Sequence, residues 1–566
     1  MRKVVKLVVY VLLVTGAAVF AFPFLWMAAT SVKVDREVQS QDLRLMPTTP
    51  LPQTRSPYID QRRYADLEGP YQADLLPRLQ AMAKATGFTP PPQVNAVRAW
   101  EQTARGLYDR LRVRLPRTLW DGVTEDGKPL GGAPKVVAAI EAAARTEVTR
   151  EMVAEVFDSV YRRLLMGPIR VRSYDRIEAE LGKGDAGGDV PLSKRIENRS
   201  ADALALLDVT EKAEPYALLK YDFSRADRLV LAQTFDVPPD FRLDRLHRIS
   251  VDVRPDDTWH DLWLTVETGG VRYESERALP LANFDVLEAQ WQPRGPDDYS
   301  TKIKTWIRLD EAARGGDILS DPHRMRLTFE FRRSGSAGAW WNKLRLNYTK
   351  VLDHMPFVRY LRVSLFLVIA TIVLTLVVSS LVAYAFARLN WPGREFCFIL
   401  MLATMMIPFQ VIMIPRFLIW KHLGAYNTLT PLWLGPAFGS AFFIFLLRQF
   451  LKGVPRDLED AARLDGCGFL RIYWHIMLPL IKPSLAAIAI FTFMATWNNF
   501  MGPLIYIADQ RLYPLAFGLY AFSVQVENDP ALTMAASLLM TVPVIVIFFF
   551  AQKHFIQGIT LTGMKG

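Results

Sequence analysis

The chain has 566 residues, is 51% hydrophobic and carries a formal net charge of +10, a length that accommodates several domains. Residues 1–34 and 351–566 hold 19 Lys and Arg against 9 Asp and Glu, and residues 35–350 hold 48 of each sign, so the whole basic excess lies on the apolar part. That distribution excludes a nucleic-acid binder and fits a membrane protein with basic cytoplasmic loops. Both cysteines, Cys397 and Cys467, lie outside 35–350. No disulfide framework holds that region, and without a CxxC or a nearby His pair no metal site is read.

The first predicted element is an apolar run at 7–30. A bilayer span needs about 20 such residues in a helix. The run ends in PFLWMAATSVK, without a small-residue cleavage site, which reads as a span and not as a cleaved signal. Residues 35–350 do not read as one unit. A helical pattern extends from about 70 to 166 and includes the long amphipathic run VVAAIEAAARTEVTREMVAEVFDSVYRRLL at 136–165. LGKGDAGGDVP, at 181–191, is a breaker-rich linker. After it the period changes to two: Ile249, Val251 and Val253, then Leu262, Leu264 and Val266, then Met325, Leu327, Phe329 and Phe331 alternate with polar residues. These patterns predict an external α+β region, with a helical lobe over 35–190 and a β-sandwich or jelly roll over 191–350. Trp259, Trp263, Trp306, Trp340 and Trp341 form either a sugar-stacking platform or core and interface contacts.

Five further spans read at roughly 357–387, 396–420, 431–451, 483–506 and 532–555, making six. With the N-terminus inside, the inner segments carry thirteen Lys and Arg: Arg2, Lys3, Lys6, Arg388, Arg394, Arg448, Lys452, Arg456, Arg463, Arg471, Lys482, Lys553 and Lys565. The short outer loops carry Lys421 and Arg511. Both termini are therefore placed in the cytoplasm and 35–350 outside. Pro408 and Pro415, Pro436 and Pro543 interrupt the third, fourth and sixth spans. Proline removes a backbone donor and bends a helix. The freed groups are tolerated in a membrane only against protein or a wet cavity, so these are marks of a pathway or ordinary packing kinks. Arg416, the one charge well inside a span, either lines a pathway or snorkels to the interface.

The loop 453–483, GVPRDLEDAARLDGCGFLRIYWHIMLPLIKP, is the most informative stretch. Pro455 suits the first turn of a helix, and Asp457, Glu459 and Asp460 favour its N-terminal end. Leu458, Ala461 and Ala462 share a face, and Gly466 can stop the helix in a left-handed conformation. A second short helix is expected at about 468–477, ended by Pro479 and Pro483. A short helix with a small, smooth face suits insertion into a groove on another protein; the alternative is a surface helix packed on its own chain.

The segment resembles the EAA loop of binding-protein-dependent ABC transporter permeases. The motif stands here as Asp460, Ala461, Ala462 and Gly466, then Ile476, Leu478 and Pro479; Asp460 occupies the Glu position, keeping the charge and shortening its reach. PFLWMAATSVK, YAFARLNWPGRE (384–395), MMIPFQVIMIP (405–415), FLLRQFLKGVP, TWNNFMGPLIY and the C-terminal FIQGITLTGMKG resemble the carbohydrate branch of that family. The resemblance covers nearly all of 1–34 and 351–566, while 35–350 match nothing in the family's usual pattern.

The resemblance implies an α-helical integral membrane protein of the bacterial cytoplasmic membrane, with six transmembrane helices in the type I ABC importer permease fold. Residues 1–34 form its first helix and 351–566 its core. It implies that Leu458, Asp460, Ala461, Ala462, Leu464, Asp465, Gly466 and Pro479 couple the spans to a cytoplasmic ABC ATPase dimer. A second homologous permease subunit completes the pathway, and an extracytoplasmic solute-binding protein delivers the solute. The chain has no GxxxxGK[ST], so ATP and Mg fall to the partner ATPase subunits, with no cofactor or catalytic residue in this chain. Trp497, Asn498 and Asn499 either line the pathway or hydrogen-bond between spans. A membrane-anchored external carbohydrate-binding protein or enzyme is the alternative. It lacks an H-E-x-x-H or G-x-S-x-G signature in 35–350, and an anchor needs no EAA loop. A secondary transporter or channel leaves that loop without a purpose.

Overall fold

The computed structural model describes residues 2–39, 45–60, 69–92, 94–124, 128–181, 192–211, 214–238, 240–241, 245–282, 286–295, 306–315, 317–321, 323–526 and 529–560. Nearly all of the expected linker 181–191 and the end of the C-terminal motif lie outside these residues. The chain divides into two compact units, one of 1–48, 301–304 and 344–566, the other of 49–300 and 305–343.

In the second unit, helices Gln72–Ala85, Ala96–Arg114, Ala133–Glu147 and Arg150–Val160 pack around Leu79, Leu107, Leu111, Val137, Ile140 and Val153. The amphipathic run 136–165 is not one helix. It breaks at Val148, and Thr149 caps the next helix by accepting from the Met152 N–H at 3.2 Å. A hydroxyl that satisfies a free N–H competes with continuing the helix. Beyond Val160 the chain turns extended and enters a sheet.

Among the described residues that sheet has 13 strands. Its path runs from Glu197–Asn198 through Arg228–Asp236, Arg324–Arg332, Asp261–Thr268, Val271–Ser275, Trp306–Arg314, Leu287–Pro293, Leu246–Arg254, Leu164–Ser173 and Glu214–Tyr221 to Leu204–Glu211. All pairs along the path are antiparallel except Leu287–Pro293 with Trp306–Arg314, which is parallel. The two ends of the path are consecutive in sequence, and the Asn198 amide donates to the Leu204 carbonyl at 2.5 Å. The sheet is therefore nearly closed and barrel-like, not the two-layer sandwich expected. The alternating residues are buried as expected; a period of two buries alternate side chains in either architecture and cannot separate them. The tryptophans do not share one environment: Trp259 is buried, Trp340 half-buried and Trp341 exposed. Trp263 and Trp306 lie under the guanidinium groups of Arg332 and Arg248, at 4.9 and 4.6 Å.

In the first unit, Lys6–Thr30, Phe357–Arg388 and Pro530–Phe549 are long and apolar enough to cross a membrane. Two bent pairs bring the number to as many as five if each is one span: Arg394–Thr404 with Phe409–His422, at 101°, and Phe469–Leu480 with Lys482–Trp497, at 76°. Among the described residues, length and composition thus give three to five spans where six are expected. The expected fourth span is split into Thr430–Leu434, a 3-10 turn at Gly435–Phe438 and Ala441–Lys452. The expected fifth stops at Trp497, before a separate helix at Met501–Tyr506. Pro408 sits at the break of the first pair, as a missing donor dictates, whereas Pro415 and Pro543 lie inside continuous helices. The first helix ends at Thr30, where Asn347, on the helix Ser336–His354, donates to the carbonyls of Ser31 and Lys33 at 2.9 and 2.7 Å.

Candidate functional site

The loop 453–483 folds from its N-terminal end much as its residues dictate. A helix covers Asp457–Leu464, with Asp457, Glu459 and Asp460 in its first turn, and Gly466 follows at φ +79°. Open space surrounds the Gly466 Cα, so the positive φ is what calls for glycine there. The second half departs from expectation. After Phe469–Ile472 a π-helical turn spans Tyr473–Met477, and helical backbone continues through Leu478–Leu480, so Pro479 starts a turn and does not end one. The change of direction comes at Ile481, between Phe469–Leu480 and Lys482–Trp497.

The short helix has two faces, divided differently from the simple small-residue face. Glu459 and Ala462 are buried within this chain, Ala462 in one apolar cluster with Ala383, Tyr384, Leu451 and Ile472. Leu458, Asp460, Ala461, Leu464, Asp465 and Gly466 are exposed, Leu464 at 90%. Phe469, Leu470 and Trp474 extend the exposed apolar surface.

The buried face is held by charge. Arg388, the last residue of the helix Phe357–Arg388, brings Nε within 3.0 Å of Glu459 Oε1, with both side chains almost fully buried. The pair is ionic contact out of line for a hydrogen bond. The same guanidinium donates through Nη2 to the carbonyls of Leu451 and Val454, at the end of Ala441–Lys452. Glu459 also accepts from Arg463 at 3.3 Å. Higher on the same helix, Tyr384 donates to the Phe469 carbonyl at 3.2 Å and Ser380 shares a hydrogen bond with the Tyr473 hydroxyl at 2.7 Å. Ser380, Tyr384 and Arg388 are spaced by four and therefore lie along one helix face.

Sequence reasoning missed this attachment. Arg388 read only as one of the inner positive charges and Glu459 only as a helix N-terminal charge. The available signal was spacing: Glu459 stands three residues before Ala462, on the same face.

The structure does not bring Trp497, Asn498 and Asn499 to one surface. Trp497 is buried, stacked on Phe493 at 5.6 Å and clustered with Tyr360, Val368, Leu515 and Phe522. Its indole N–H meets no acceptor among the described residues. Asn498 and Asn499 are exposed; the Asn498 amide returns to the Met494 carbonyl at 2.9 Å, and Asn499 accepts from the Gly502 N–H at 3.0 Å, opening the next helix. The half-buried Arg416 packs its guanidinium against Gly435, where an added Cβ would overlap Nη2.

Residues 375–561 match the family described as "Binding-protein-dependent transport system inner membrane component". The arabinooligosaccharides transport system permease protein AraQ of Halalkalibacterium halodurans is 40% identical over 203 residues, 36% of this chain and 72% of that protein. The maltodextrin transport system permease protein MdxG of Bacillus subtilis is 30% identical over 224 residues, 39% of this chain and 80% of that protein. Among solved structures, a chain of a bacterial ABC transporter involved in import of the acidic polysaccharide alginate aligns with a TM-score of 0.33 at 25% identity, covering 37% of this chain and 79% of that one.

Proposed function

The chain belongs to the inner-membrane permease components of binding-protein-dependent carbohydrate ABC importers, and from that premise we propose that 453–483 is where an ATPase drives it. The chain is thus a multi-pass transport component, not an enzyme. The observation that carries the proposal is the division of the helix Asp457–Leu464 into a buried face, fixed to the rest of the unit, and an exposed face of Leu458, Ala461, Leu464 and Gly466. A helix built this way presents Leu458, Ala461 and Leu464, flanked by the charges of Asp460 and Asp465, to a cleft on an ATPase dimer. The solute is a sugar or oligosaccharide, the class named in the relatives. A solute-binding protein delivers it, and a second permease subunit completes the pathway. In this reading the bent pairs and the split fourth segment belong to six passages across the bilayer, with both termini in the cytoplasm.

The external region 35–350 serves to recruit or orient the solute-binding protein. Its support is that the chain leaves the first helix and returns toward the second at one place, where Asn347 ties Ser31 and Lys33. A docking module tethered there raises the effective concentration of its partner without tight intrinsic affinity.

The test is Gly466→Trp in the assembled transporter. Copurification of the ATPase and ATP-driven uptake of arabino- and malto-oligosaccharides are both lost if the loop is the docking element; retention of both overturns the reading. Replacing 49–343 by a short polar linker, which keeps Asn347 and its tie to Ser31 and Lys33, leaves basal ATP hydrolysis intact and removes its stimulation by the solute-binding protein. Unchanged stimulation rules out the recruiting role.

A further inference from the structure

We propose that Arg388 is a positioning residue for transport: through it, displacement of the helix Asp457–Leu464 is delivered to the helix Phe357–Arg388 and not along the chain to the helix Lys482–Trp497. The inference rests on the docking reading above and adds the route by which docking moves the spans.

Three observations carry it. The first is that the Arg388–Glu459 pair is almost wholly buried. A buried ion pair is seldom more stabilising than well-packed apolar side chains of similar volume, and its best-attested use is to fix one arrangement of two elements. The second is that the pair does not act alone. The Arg388 fork also holds the carbonyls of Leu451 and Val454, so one side chain fastens three segments: the end of Phe357–Arg388, the end of Ala441–Lys452 and the exposed helix. Guanidinium geometry permits this; an ammonium group cannot reach several acceptors in one plane. Ser380 and Tyr384 add two more attachments, at Tyr473 and Phe469, spread over about 12 Å of one helix face at 1.5 Å per residue.

The third observation concerns the alternative route. Along the chain, the exposed helix reaches Lys482–Trp497 only through the π-helical turn Tyr473–Met477, the helical residues Leu478–Leu480 and the 76° bend that follows at Ile481. A π turn departs from the regular i→i−4 ladder, and the element-terminal residues at a sharp bend are where φ and ψ changes are absorbed. The covalent route is a joint; the route through Arg388 is a clamp. A push on the docked helix therefore turns Phe357–Arg388 before it reaches Lys482–Trp497, and the two long helices change their separation.

The experiment uses the assembled transporter with Cys397→Ser and Cys467→Ser. Spin labels are placed at Val373 and Phe491, exposed residues on the two helices. The distance between labels is measured by pulsed electron resonance with and without ATP and vanadate, alongside ATPase copurification and hydrolysis. The expected result is a nucleotide-dependent shift in the parent, lost in Arg388→Met and Glu459→Gln although the ATPase stays bound and hydrolyses ATP, and partly restored by Arg388→Lys. Glu459→Gln nearly preserves volume, so it reports even if Arg388→Met fails to assemble. A full shift in Glu459→Gln or Arg388→Met, or no shift in the parent, overturns the proposal. Gly466→Trp separates the two claims: if its ATPase remains bound, the docking reading fails, whereas loss of ATPase there with an undiminished shift in the Arg388 and Glu459 variants sinks only the clamp.

Discussion

Asn347 reaches back across 316 and 314 positions of the chain: its Nδ2 donates to the Ser31 carbonyl at 2.9 Å and to the Lys33 carbonyl at 2.7 Å. Ser31 adds a 2.7 Å hydrogen bond with the Tyr348 hydroxyl. Asn347→Leu leaves two buried carbonyl oxygens without that donor, at a cost of about 2–3 kcal/mol. Thermal unfolding of the detergent-solubilised chain is expected to shift downward accordingly. An unchanged melting temperature would show that the tie is incidental.

Neighbouring alanines should behave differently. Ala461 is exposed and Ala462 is buried in one apolar cluster with Ala383, Tyr384 and Ile472. Ala461→Trp is expected to leave folding intact and to block ATPase binding. Ala462→Trp overpacks the interior and destabilises by about 1–3 kcal/mol or more. Melting temperature and ATPase copurification, measured together, separate the two; equal effects on both readouts would refute the division of faces.

The barrel-like sheet carries a pH sensor of its stability in His260. Its Nδ1 accepts from the Ser334 N–H at 3.2 Å, so Nε2 carries the proton and donates to the Gln53 carbonyl at 2.7 Å. Burial holds its pKa below the usual 6.5, against the opposing pull of Asp256 and Asp261. With the folded value depressed, the contribution is fully present above pH 6.5 and is lost as pH falls from there toward the folded value. Calorimetry of the solubilised chain should show the melting of this unit falling below pH 6.5, and a smaller fall in His260→Gln. Identical pH profiles for the two proteins would exclude His260 as the source.

Orientation is open to thiol chemistry. Cys397 is exposed and Cys467 half-buried, so the test needs Cys397→Ser. In intact cells Cys467 should then react with membrane-permeant maleimides and not with impermeant ones. Labelling by an impermeant reagent would reverse the assignment of the loop to the cytoplasm.

Much of this molecule was legible locally. Hydropathy located the first and second long helices, and alternation located the strands bearing Ile249, Leu264 and Phe329, because both signals depend only on which side chains must leave water. Sheet closure was not legible, since it depends on the short strand Glu197–Asn198 pairing with Arg228–Asp236 and lying beside Leu204–Glu211. The same limit applies at the candidate site. Gly466 announced its positive φ, but only the tertiary partners tell Ala461 from Ala462, or reveal that Arg388 is spent on Glu459 and two carbonyls and not on solvent.

The seam of the barrel-like sheet bears on how the protein behaves in concentrated solution. Leu204–Glu211 is an eight-residue strand, whereas the strand at the other end of the path has two residues. The Ser193 N–H, on the short helix Leu192–Arg195, donates to the Asp208 carboxylate of the longer strand at 2.9 Å. Among the described residues, Leu204–Glu211 ends the path and pairs along its length with Glu214–Tyr221 alone, and a strand edge of that length is the usual route to edge-to-edge association. Asp208 places negative charge on that strand, and charge on an edge strand opposes such pairing, an opposition that salt weakens by screening.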